Sequence, residues 1–163
     1  LMSAIQQWLD GLACPIPLQL VPANAPEVEG LAKSLSEALE KSGSTLGGAF
    51  EALLYLRIGL MEPAHGNVQD AKRGIEAYIH GVLHRMEGDT WNAKYWFGRV
   101  NDPKLIKRID QHMLTSQIAN WSGPEDFADA CKSPSVAHRE DLSRIASCEW
   151  ESLWQIVNEK NPR

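Results

Sequence analysis

The chain has 163 residues and a mass of 18.1 kDa, with 44% hydrophobic residues, 23% charged residues and a net charge of −5 at a pI near 5.5. That length buries one sizeable core without staples. The acidic balance argues against nucleic acid as a partner, because phosphate binding needs a basic face, and no run of 18 apolar residues is present to cross a membrane. Cys14, Cys131 and Cys148 are odd in number, far apart and outside any CxxC spacing, which points to reduced thiols rather than a disulfide framework or a zinc–cysteine site. No basic segment followed by an apolar stretch opens the chain. The expectation is a cytoplasmic chain, away from membranes, forming a single all-helical domain over residues 1–163.

Residues 3–10, SAIQQWLD, predict a short helix capped by Ser3. Pro15, Pro17, Pro22 and Pro26 then forbid a helix interior, so 12–26 reads as an extended apolar segment lying across the bundle or covering a dimer interface. Pro26 opens the next helix in its first turn, with Glu27 and Glu29 at its positive end and Gly43 as its stop. Residues 45–61, TLGGAFEALLYLRIGLM, are apolar nearly all round and predict a central helix. Pro63 and Gly66 end it, and Asn67 caps a helix running to Glu87. Gly88 stops that helix and Asp89 caps the next, to Val100. Asp102-Pro103 opens a helix to Asn120, Pro124 a short one to Lys132, and Ser135 caps a final helix to Glu159. Strand signals are almost absent. The fold class expected is all-α, a single-domain bundle of about seven or eight helices.

One stretch differs from the rest: HGVLHRMEGDTWNAKYWFGRV, residues 80–100. At about 100° per residue, Ile75, Tyr78, Ile79, Val82, Leu83 and Met86 share one arc, while His80, His84 and Glu87 fall within about 60° of one another on the other side. On the following helix Ala93, Trp96, Phe97 and Val100 make one face, and Trp91, Asn92, Tyr95 and Arg99 the other. The short Gly88-Asp89 connection forces an antiparallel hairpin over 75–100. The spacing of Gly81, Gly88, Ala93 and Phe97 resembles the helical hairpin of tetratricopeptide or Sel1-like repeats. No second copy lies about 34 residues away on either side, so this is one repeat-like hairpin inside a bundle, with His80 and His84 at positions the repeat fills with large packing residues. The same stretch resembles the signature HGxxHRxEGDxxNAKYWFxRV of a family of uncharacterised bacterial and fungal helical proteins, a likeness that brings no activity with it.

Three roles fit these residues. A polar pocket on the hairpin, formed by His80, His84, Asn92, Tyr95 and Arg99, would make the chain a non-catalytic binding module for an anionic small molecule or a protein, with Arg99 holding a carboxylate or phosphate. A divalent metal held by His80, His84 and Glu87, with His65 as a fourth ligand, would make it a metal-dependent enzyme built on the 67–87 helix; the pattern is not HExxH. In the third role the histidines only pack, bonded to Asn92 or Tyr95, while Arg85 or Arg99 pairs with Glu87 or Asp89 and both Trp91 and Trp96 lie in the core. No phosphate loop, dinucleotide fingerprint, nucleophile elbow or EF-hand loop is present.

Overall fold

Ser3 accepts a hydrogen bond from the Gln6 amide and starts α1 (Ala4–Asp10), whose Ile5 is fully buried. The computed structural model describes residues 3–21, 24–43, 47–133, 135 and 138–160. Among them eight further helices follow: α2 (Pro26–Ser42), α3 (Ala49–Arg57), α4 (Met61–Val68), α5 (Gly74–Glu87), α6 (Thr90–Gly98), α7 (Pro103–Thr115), α8 (Pro124–Cys131) and α9 (Arg139–Lys160). No strand occurs among the described residues. The class is all-α, with one continuous core running from Ile5 to Val157, and no described helix is long and apolar enough to cross a membrane.

The proline-rich segment is extended as its prolines require. Its Leu20 amide donates to the Met86 carbonyl and its Val21 amide to the Gly59 carbonyl, each at 3.0 Å, so it straps the end of α5 to the turn after α3; Pro22 lies outside the described residues.

Helix boundaries differ from expectation where local punctuation was outvoted. The central apolar helix is shorter, Ala49–Arg57, and buries Phe50, Ala52, Leu53, Leu54 and Leu56; Thr45 and Leu46, at its expected start, lie outside the described residues. Pro63 does not break the chain but sits in the first turn of α4, where its missing N–H has no helical partner to lose. Asn67 is no cap. Its Nδ2 donates to the Pro63 carbonyl at 2.9 Å and its Oδ1 accepts from the Gly48 amide at 3.1 Å, tying α4 to the start of α3. The expected 67–87 helix is therefore two helices with a loop between them, and α5 starts at Gly74, whose amide donates to the Val100 carbonyl at 2.7 Å. α7 stops at Thr115 rather than Asn120, because Gln117 turns left-handed at φ 55° and the Ile118 amide reaches back to the Met113 carbonyl.

The α5–α6 hairpin forms as expected. Gly88 takes φ 89° at the end of α5, a left-handed conformation that favours glycine, and Asp89 caps α6 by accepting from the Asn92 amide at 3.0 Å. Gly81 lets the helices meet: a Cβ there would lie 2.6 Å from the Phe97 ring.

Arg85 does not pair with Glu87 or Asp89. Its guanidinium makes two bonds to the Glu149 carboxylate of α9, Nη1 to Oε1 at 3.0 Å and Nη2 to Oε2 at 2.6 Å, and stacks 4.2 Å above the Phe127 ring of α8. Tyr78 donates to Glu149 Oε1 at 2.8 Å; burial first, and the carboxylate second, push its phenol well above the usual range. All three side chains are buried. Replacing one member of such a pair strands the other charge in the core. Glu149→Ala should cost about 3–5 kcal/mol, read from the urea midpoint, whereas a loss below about 1 kcal/mol would place the pair with exposed ion pairs.

Candidate metal centre

Two helices bring three imidazoles together. His80 and His84 are one turn apart on α5, and His65 reaches them from α4, which packs against α5. Tyr78 and Arg85 turn the opposite side of α5 toward α8 and α9, so the same rotation of the helix that buries the ion pair points the histidines at α4. His65 Nε2 and His80 Nε2 lie 3.0 Å apart, one donating to the other. One ring nitrogen from each of His65, His80 and His84 falls within 4.8 Å of the others.

The histidine rings are held from several sides. His80 stacks on Trp96 of α6 at 3.9 Å between centroids and 16° between planes. Its other neighbour is His84, at 5.0 Å and 17°, while His65 meets His80 edge-on at 4.7 Å. Burial first, then the adjacent His65 and His84, lower the His80 pKa from 6.5 to about 4, so the ring is neutral. Its Nδ1 is buried without a hydrogen bond of good geometry, the Val68 backbone giving it only weak support.

Glu87 is half-exposed and takes His84 Nδ1 at 2.9 Å. That leaves Nε2 as the free nitrogen of His84, in the manner of a carboxylate–histidine–metal arrangement. A second acidic cluster, His84 with Glu87 and Asp89, also lies within 4.8 Å. Asp89 is already committed there, with one oxygen on the Asn92 amide and the other on Asn92 Nδ2, both at 3.0 Å.

The remaining expected residues do not join the cluster. Asn92 belongs to the α6 cap and bonds neither histidine. Tyr95 is exposed on the outer side of α6, stacked on Trp91 at 5.9 Å, and Arg99 lies over the Tyr95 and Trp96 rings at 5.4 and 5.8 Å. Trp91, expected in the core, is 75% exposed. Four surface cavities of about 110–560 Å³ are lined by residues of α1, α3, α8, α9 and adjoining loops, and none of these four is lined by a cluster histidine. Neither the Arg85–Glu149 pairing nor the Trp96 stack on His80 follows from spacing on one helix. A signal for Glu149 existed: it lies on the stripe of Leu142, Ile145, Leu153 and Ile156, and a carboxylate on an apolar stripe calls for a buried partner.

No protein-family model matches this chain, and no curated protein and no solved structure shows significant similarity to it.

In the metal-free chain His80 has a folded pKa of about 4 against 6.5 for an ordinary histidine. Between those values the unfolded state binds the extra proton, so the stability present above pH 6.5 is lost as pH falls toward 4. His80→Phe keeps a ring against Trp96 and cannot titrate. Urea midpoints across that range should fall less steeply with acid for the variant than for the parent, and parallel profiles would contradict a neutral, buried His80.

Proposed function

We propose that this chain binds one divalent transition-metal ion through His65, His80 and His84, with Glu87 orienting His84 from outside the coordination shell. The observation that carries this reading is the convergence of three ring nitrogens within 4.8 Å, two of them on buried side chains. Nitrogens sharing a tetrahedral ion at about 2.0–2.1 Å stand about 3.3 Å apart, close to the 3.0 Å between His65 and His80. A metal replaces the proton those two share, which moves to the outer nitrogen of the same ring, and protons compete with the metal for the imidazoles, so affinity falls as pH falls. The His80 and His84 rings are stacked at 17°, so binding requires one of them to turn until its in-plane lone pair meets the ion. Three neutral donors leave a further position open, the pattern of reactive rather than structural zinc sites.

A second reading concerns the outside of the same hairpin. Trp91 and Tyr95 are large and exposed, 75% and 45%, and Arg99 lies over Tyr95. Tryptophan, tyrosine and arginine are the residues that anchor interfaces, and this supports a non-catalytic contact surface on α6.

Protein purified without a histidine tag and stripped of metal tests the first reading by calorimetric titration with zinc, copper, nickel and ferrous ions. Binding of about one equivalent is expected, lost in His65→Ala, His80→Ala or His84→Ala and weakened about 10–100-fold in Glu87→Gln. Absence of binding for all four ions would overturn it.

A further inference from the structure

The outer face of α6 carries a row of side chains with opposite charges at its two ends. Trp91, Tyr95 and Arg99 recur every fourth residue and so share one side of the helix. Trp91 is 75% and Tyr95 45% exposed, their rings stack at 5.9 Å and 11°, and the Arg99 guanidinium lies 5.4 Å from the Tyr95 ring. Asp89 and the half-exposed Glu87 stand before the row. Arg99 ends it, and the bond from the Gly74 amide to the Val100 carbonyl brings exposed Lys72 and Arg73 to the same end. Lys72, Arg73, Arg99 and Lys104 make no ion pair among the described residues, whereas Lys94 on the flank of the row is held by Asp129. Of the acidic residues near that end, Asp102 caps α7 and Glu76 turns toward Gly48, which leaves Asp70. A row that is acidic at one end, aromatic in the middle and basic at the other complements its own reverse.

We propose that this face of α6 pairs antiparallel with the same face of a second copy of the chain, so that Trp91 of each copy meets the partner's Arg99. The pairing rests on the contact-surface reading of α6 given above and names its partner. With Tyr95 on the twofold axis, a residue four positions before it faces one four positions after it, and every contact occurs twice. The guanidinium of Arg99 already has one side toward Tyr95 and Trp96. The side chain is exposed, so its opposite side receives the partner's indole in a cation–π contact. The same reversal carries Glu87 and Asp89 toward the basic end of the partner. A parallel pairing would instead set the two basic ends together. An unrelated acidic protein would match the basic end but meet Glu87 and Asp89 with like charge. At nine residues α6 is about 14 Å long, too short to bury the roughly 1,200 Å² or more of a stable interface, so the dimer is weak and depends on concentration.

Sedimentation velocity of the metal-free chain from about 10 µM to 1 mM should show a reversible monomer–dimer equilibrium. Trp91→Ala and Arg99→Ala should each weaken it by roughly tenfold or more, because each substitution removes its contact twice, with the helical circular dichroism unchanged. An equimolar mixture of the two variants should associate more tightly than either alone, since one Trp91–Arg99 contact re-forms between them. A chain that is monomeric throughout that range, or a mixture no tighter than its components, would overturn the antiparallel pairing. So would a dimer that both substitutions leave intact.

A photo-crosslinking residue, p-benzoylphenylalanine, placed at Trp91 and irradiated in the cells that make the chain separates the pairing from the reading beneath it. A product of twice the chain's mass is expected. A product of another mass would overturn self-pairing and leave α6 as a contact surface for a different protein, and no product at all would overturn both.

Discussion

The Arg85–Glu149 pair constrains this molecule more than any other contact. A guanidinium and a carboxylate, both buried and joined by two hydrogen bonds, connect the middle of the bundle's longest helix to α5. Tyr78 and the Phe127 ring complete the enclosure. A buried pair of this kind contributes little net stability compared with well-packed apolar residues, because desolvation offsets most of the attraction. Its effect is on specificity. Rotation of α5 about its axis would separate the charges inside the core, so the pair acts with the buried apolar residues of α5 to hold its orientation.

That orientation decides where the histidines go. With Tyr78 and Arg85 facing α8 and α9, His80 and His84 must face α4, where His65 stands. The cluster is thus secondary to the ion pair: the contact on one side of the helix sets the geometry on the other. Its electrostatics follow from the same burial. His80, the most enclosed of the three, is held neutral, the form in which imidazole binds metals. Glu87 stays at the half-exposed edge of the cluster, where it holds the His84 Nδ1 at 2.9 Å.

Trp96 links the cluster to the surface. It covers His80 on one side and touches Tyr95 on the other, so α6 forms one wall of the site. The close approach that allows this depends on Gly81, where a side chain would collide with Phe97 and push α6 away. A gap there would loosen the Trp96 stack and the hairpin together.

Much of this was legible along the chain. The all-helical class, the caps at Ser3, Asp89 and Asp102, the proline start of α2, the glycine stops and the antiparallel hairpin follow from local punctuation, since each satisfies backbone groups within a few residues. The sharing of one helix side by His80 and His84 followed from periodicity. What lay beyond local reach was every contact between distant segments. The break between α4 and α5, the arrival of His65 from another helix, the commitment of Arg85 to Glu149 and the exposure of Trp91 all depend on which helix packs against which. Periodicity gives a residue's direction around its own axis; only the packed bundle decides what stands in that direction.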